Sequence, residues 1–96
     1  MLLQDALQAG QFALTAEVTP PRGGDPSRAL EVASLLRGRV HAVNVTDGSR
    51  AVMRMSSLAL CRLLLEAGIE PVLQMTCRDR NRIALQADLL GAHALG

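Results

Sequence analysis

An α/β fold, made of the first three strand-helix units of a (β/α)8 barrel, is predicted by three stretches of this chain that end alike. Phe-Ala-Leu-Thr-Ala-Glu (12–17), Val-His-Ala-Val-Asn-Val-Thr (40–46) and Pro-Val-Leu-Gln-Met-Thr (71–76) each run apolar and then turn polar. Glu17 and Thr46 stand 29 positions apart, and Thr46 and Thr76 stand 30 apart. That is the length of one strand plus one helix. Polar groups at the carboxyl ends of parallel strands are where (β/α) enzymes keep their chemistry.

The elements come in order along the chain. Residues 1–9 carry helical spacing (Leu2, Leu3, Ala6, Leu7) that stops at Gly10, which predicts a short leading helix. A first strand is expected over about 12–18. Pro20, Pro21, Arg22, Gly23 and Gly24 make a loop, and Asp25-Pro26 is a helix start with Asp as N-cap and Pro at the first helical position. That helix reaches about Gly38. A second strand is expected over about 40–46, left through Asp47, Gly48 and Ser49. The next helix is expected from near Ala51 or Met53 to Gly68, a glycine suited to the left-handed position after a helix end. A third strand (about 70–76) passes into Cys77, Arg78, Asp79, Arg80 and Asn81, then a helix over about 80–93 capped by Asp79 or Asn81. Ala94-Leu95-Gly96 reads as the approach to a fourth strand. Strands separated by helices imply parallel pairing with crossover connections.

Strand alternation sorts the faces. One face takes Ala13, Thr15, Glu17, Val40, Ala42, Asn44, Thr46, Val72, Gln74 and Thr76; the other takes Leu14, Ala16, Val18, His41, Val43, Val45, Leu73 and Met75. The second set suits helix packing. The first is small or apolar low down and polar at the top, as in a barrel interior opening into a pocket. An open doubly wound sheet would read apolar on both faces, so the polar inner face favours the barrel. A closed eight-stranded barrel takes roughly 200 residues or more, so these 96 residues are expected to be a single partial domain, its N-terminal portion.

Composition narrows the function classes. Apolar residues make up 49% of the chain and the net charge is +1, as in a soluble globular protein. No apolar run approaches the roughly 18 residues of a membrane span. The first ten residues lack the basic start of a secretory signal, and a cytoplasmic location is expected. All ten basic residues are arginine, which excludes a Schiff-base lysine within this segment. Phe12 is the only aromatic residue, leaving little for base stacking, and the near-neutral charge speaks against a phosphate-backbone footprint. Cys61 and Cys77 lack zinc or redox spacing; Cys61 falls on an apolar helix and Cys77 comes directly after the third strand. His41 is expected to point outward and His93 to sit near a helix end, and neither has ligand spacing. Arg22-Gly23-Gly24 lacks the spacing of a phosphate-binding loop.

From position alone, Glu17 serves equally well as a proton donor or as a carboxylate paired with an arginine near the sheet top. On the same terms Thr46 is a β-branched strand residue bonding a neighbouring carbonyl, Asp47 a turn cap, and Gln74 a satisfied interior amide. Arg78, Asp79, Arg80 and Arg82 read as a solvated loop and helix start, or, alternatively, as placing Arg78 or Arg80 over the pocket.

Three motifs taken together carry a resemblance: Thr15-Ala16-Glu17-Val18-Thr19-Pro20-Pro21, Val43-Asn44-Val45-Thr46-Asp47-Gly48, and the run from Pro71 to Asn81, extended by Leu85 to Ala92. They resemble the first three strand-end motifs of the methylenetetrahydrofolate reductase family, in the right order over essentially the whole chain. The resemblance implies a (β/α)8 barrel that binds FAD and passes a hydride from NAD(P)H through the flavin to 5,10-methylenetetrahydrofolate, giving 5-methyltetrahydrofolate. It implies that Glu17 is the general acid toward the folate. Opening the methylene bridge requires protonation of the leaving nitrogen, which a partly buried carboxylic acid performs near neutral pH. Thr46 matches a threonine that contacts the flavin. Asp47 stands where better-known bacterial members carry an aromatic residue against the cofactor, and Gln74 where many carry histidine, so Gln74 keeps a binding role without a proton-transfer role. The implied partners are the folate substrate and either a second copy or the remainder of the barrel, with no nucleic acid or membrane. The family's fourth-strand Gly-Asp loop would come after Gly96. The 96-residue chain by itself is therefore expected to be inactive, to self-associate or be only part of the native protein, and to bind FAD weakly or not at all. A non-catalytic barrel piece acting as a scaffold or subunit-interaction module is the alternative expectation.

Overall fold

The computed structural model describes residues 2–96. Its order is α1 (Leu3–Gln8), β1 (Thr15–Val18), α2 (Ser27–Leu36), β2 (Ala42–Val45), α3 (Ser57–Glu66), β3 (Pro71–Leu73) and α4 (Arg82–Leu95). The strands lie side by side in the order β1-β2-β3, all parallel. Three parallel strands alternating with helices are the opening architecture of a (β/α)8 barrel.

Register fixes which side chains share a face. Ala16 pairs with Val43, Glu17 with Asn44 and Val18 with Val45. Across the next ladder Asn44 pairs with Val72 and Val45 with Leu73. Paired residues in parallel strands point the same way, so Thr15, Glu17, Asn44 and Val72 lie on one face while Val18, Val45 and Leu73 lie on the other. The division read from alternation holds. Val18, Val43 and Val45 form one core with Ala29 and Ala33 of α2, Leu60, Cys61 and Leu64 of α3, and Ile69. Leu60 and Leu64 are fully buried, each contributing about 1.5–3 kcal/mol by leaving water.

The boundaries have local causes. Ser56 Oγ accepts the Ala59 N–H at 3.2 Å and Asn81 Oδ1 accepts the Ala84 N–H at 2.9 Å, which starts α3 and α4. Gly68, at φ +77°, comes after the α3 C-cap Ala67 and ends that helix in the left-handed region. The strands are shorter than expected: residues 12–14 lie outside β1, with Phe12 88% exposed. The α2 start is displaced by one residue. Asp25 does not occupy the N-cap position; its carboxylate instead accepts the Ser27 N–H at 3.0 Å and the Ser27 hydroxyl at 2.7 Å. Helix α3 starts at Ser57, later than the spacing predicted, because residues 52–56 are taken up in crossing beside the β1–α2 loop, where the Met55 N–H donates to the Pro21 carbonyl at 2.8 Å. The expected approach to a fourth strand at 94–96 is corrected: α4 continues to Leu95, whose carbonyl accepts Arg62 Nη1 at 2.7 Å. Of the expected leading helix, Met1 lies outside the described residues.

Helix α4 packs against α3 and buries none of its residues; Ile83, Leu89 and Leu90 are all exposed. Among the described residues no helix is long and apolar enough to cross a membrane.

Candidate functional site

The carboxyl ends of the three parallel strands lie together, which brings the expected site residues to one end of the sheet. Glu17 stands one residue before the end of β1, Thr46 and Asp47 come directly after β2, and Gln74 directly after β3. The Thr46 N–H donates to the Val18 carbonyl at 3.3 Å, and the Gln74 N–H donates to the Val45 carbonyl at 3.2 Å. The ladder therefore continues past the formal strand ends and holds these residues in step.

Glu17 is exposed and makes no ion pair among the described residues. The partial burial expected for it is not provided here. Its register partner Asn44 is half-buried and donates through Nδ2 to Thr15 Oγ1 at 3.0 Å and to the Ala16 carbonyl at 3.3 Å. Glu17 also borders a hollow of about 230 Å3 whose wall includes Thr19, Pro20, Arg28 and Arg54. Arg54 Nη1 donates to the Pro20 carbonyl at 3.0 Å, while its buried Nε has no partner.

Thr46 is 6% exposed, and its Oγ1 is enclosed without a hydrogen-bond partner. The neighbouring-carbonyl bond that its strand position allowed is absent. An unsatisfied buried hydroxyl costs about 1–3 kcal/mol, so Thr46 carries unused hydrogen-bonding capacity at the strand top. Gln74 is fixed through its main chain, since its carbonyl accepts the hydroxyl of the buried Ser57 at 3.0 Å, while the residue itself is exposed. Its main chain is held in place while its side-chain amide is exposed, rather than being an interior amide.

Asp47 is differently placed. Its side chain is 11% exposed and pairs with Arg80, itself 16% exposed. Arg80 Nη1 donates to Asp47 Oδ2 and Arg80 Nη2 to Asp47 Oδ1 at 3.2 Å. The Thr76 N–H donates to Asp47 Oδ2 at 2.8 Å. Burial alone would push the Asp47 carboxyl up. The Arg80 and Thr76 hydrogen bonds and the charges of Arg80 and Arg78 outweigh it, holding the carboxyl below its usual range. Arg80 also grips the Thr76 carbonyl at 2.8 Å and, through Nε, Asp88 of α4 at 3.1 Å. Its hydrogen bonds to Asp47 push the guanidinium further toward the charged form, against the opposing burial, and Asp88 adds to the effect. Both Asp47 oxygens are thus spent on protein partners.

Arg78 lies at the surface, donating to the Gly48 carbonyl and to Asp79. Gly48 has φ +58°, the left-handed region, so its conformation favours glycine, while the nearest atom to a Cβ there is the movable tip of Arg78. Cys61 is buried in the core, which pushes its thiol up to about 11, whereas Cys77 is exposed. His41 is half-buried, and its Nδ1 accepts the Leu14 N–H at 3.0 Å.

Sequence reasoning assigned no role to Asn44, Arg54 or Asp88. Asn44 was detectable from its two-residue spacing to Thr46 on the polar face. Arg54 and Asp88 gave no such signal, because their partners are distant in sequence.

The strand tops thus carry one unsatisfied hydroxyl (Thr46), one exposed amide (Gln74) and, on the strand next to that of Thr46, an exposed carboxylate (Glu17), while both oxygens of Asp47 are engaged by the protein. A search of curated proteins finds no match. The sequence profile described as methylenetetrahydrofolate reductase matches residues 2–96, and so the chain belongs to the methylenetetrahydrofolate reductase family, a family of oxidoreductases of folate one-carbon chemistry.

Proposed function

We propose that this chain is the N-terminal part of an FAD-dependent methylenetetrahydrofolate reductase barrel, which reduces 5,10-methylenetetrahydrofolate to 5-methyltetrahydrofolate with NAD(P)H. The observation that carries the reading is Glu17: a carboxylate without an ion pair among the described residues, on the polar face near the end of β1, in register with Asn44 and on the same sheet end as Thr46 and Gln74. The exposed apolar residues of α4 and the apolar hollow of about 180 Å3 between α3, α4 and β3 support assembly with further barrel units.

Bound FAD would supply the hydride relay from reduced nicotinamide to the folate carbon. The chain's own residues prepare the acceptor. Glu17, in its neutral form, gives its proton to the nitrogen that leaves the methylene bridge; the carbon–nitrogen bond breaks, and the carbon becomes an electrophilic iminium ready for hydride. Asn44, tied to Thr15 and Ala16, stiffens the strand pair beneath Glu17. The Thr46 hydroxyl and the Gln74 amide would hold the flavin's polar atoms by hydrogen bonds, Thr46 after a side-chain turn that opens its enclosed oxygen. Gln74 cannot titrate, which leaves Glu17 as the proton donor among these residues.

The test is Glu17→Gln in the complete reductase. Folate reduction falls by about 10²–10⁴-fold, the range of a general acid, while reduction of the flavin by nicotinamide persists. Equal loss of both half-reactions removes the acid role.

A further inference from the structure

Arg80 spends its whole guanidinium on one junction. Nη1 and Nη2 take the two oxygens of Asp47, Nη1 also takes the Thr76 carbonyl, and Nε takes Asp88. Asp47 returns a bond to the Thr76 N–H at 2.8 Å. Asp47 is bonded in sequence to Thr46, and Thr76 is two residues beyond Gln74, so the junction grips the chain just outside each of the two residues assigned to the flavin. The inner sides are held by the ladder, through Thr46 to Val18 and Gln74 to Val45, and by Ser57 on the Gln74 carbonyl. Each ligand-facing residue is therefore fixed on both flanks, while its own side-chain polar atoms make no hydrogen bond within the described protein. Bidentate pairing fixes direction as well as distance, which a point charge does not.

We propose that Arg80, through Asp47 and the Thr76 carbonyl, is a positioning residue that sets the Thr46 hydroxyl and the Gln74 amide for the flavin. The inference rests on the flavin reading above. Asp88 holds Arg80 to α4 from the far side of the guanidinium and touches neither strand end, so it reports on the stability of the junction alone.

The experiment is an FAD titration of the complete apoprotein, monitored by flavin fluorescence and by the visible band of the bound flavin, on the wild type, Arg80→Gln, Arg80→Lys and Asp88→Asn, with melting temperatures alongside. Loss of one or two flavin hydrogen bonds weakens binding by about tenfold in Arg80→Gln. The visible band shifts with it, because the ring's hydrogen bonding has changed. Arg80→Lys recovers only part of the affinity, since it restores charge without the two-pronged grip. Asp88→Asn lowers the melting temperature but leaves flavin affinity within about twofold. Affinity that tracks melting temperature across all variants, with an unshifted band, overturns the positioning role in favour of a purely structural one, as does wild-type affinity and spectrum in Arg80→Gln. If Arg80→Gln does not fold, Arg80→Lys against Asp88→Asn decides on the same criteria. A wild-type protein that takes up no FAD overturns the flavin reading itself, and this inference with it.

Discussion

Glu17 and Asp47 are carboxylates at the ends of neighbouring strands, 30 positions apart, and the fold treats them oppositely. Glu17 is exposed with no ion pair among the described residues; Asp47 is nearly enclosed, with both oxygens on Arg80 and one also on the Thr76 N–H. A carboxylate engaged this way is held ionised and cannot be a proton donor near neutral pH. One strand end is thereby left available for chemistry and the next is turned into a brace. The loops leaving the strands make the difference. After β1 the chain runs into Pro20-Pro21 and turns away, whereas after β3 it delivers Arg80 back to Asp47.

Four substitutions break or sharpen this contrast, read by urea unfolding of the protein. Arg80→Ala is the most severe. It leaves Asp47 enclosed and uncompensated, at a cost of about 3–5 kcal/mol, the range for stripping one partner from a buried ion pair. Asp47→Asn ranks second, at about 1–3 kcal/mol, since the amide keeps some hydrogen bonding but gives up charge. It also sets a pH signature. A folded carboxyl held below its unfolded value contributes stability that is fully present above about pH 4 and is lost as pH falls through the folded value. Wild type minus Asp47→Asn should therefore shrink on acidification below that pH; an unchanged difference would sink the ion-pair account. Third, Ala51→Gly stabilises by about 1 kcal/mol, because Ala51 sits at φ +57° in the loop after Asp47, where a Cβ is strained. Glu17→Gln is smallest in stability, within about 0.5 kcal/mol, as for an exposed residue without partners, though largest in folate turnover. A large stability loss there would mean that Glu17 is structural after all.

Much of this was legible in the residues. The strand-end motifs, the faces of the paired strand residues and the Gly68 helix end were read correctly, and of the two caps offered, Asp79 or Asn81, it is Asn81 that caps α4, because each depends on alternation or on groups within a few residues of one another. Helix ends and strand lengths were read less well. Strand β1 lost residues 12–14, where Phe12 is exposed and Leu14 bonds to His41 ahead of β2, and α3 started late because residues 52–56 are used to pass the β1–α2 loop. Arg80 was grouped with a solvated charge run or, alternatively, placed with Arg78 over the pocket, since its neighbours Arg78 and Asp79 are indeed at the surface. Nothing in that run distinguishes the one arginine that turns inward.

The sequence by itself determined the order of three strand-helix units, the polar character of one sheet face and the place of Glu17 and Thr46 at the strand tops. Backbone periodicity is a local property, written in each segment. Only the tertiary structure decided that Asp47 is a brace and Glu17 is free. An ion pair between positions 47 and 80 exists because parallel pairing of β2 with β3 brings the two strand ends together. Distance in space, which no local spacing records, selects the carboxylate that is locked and the one left without an ion pair among the described residues.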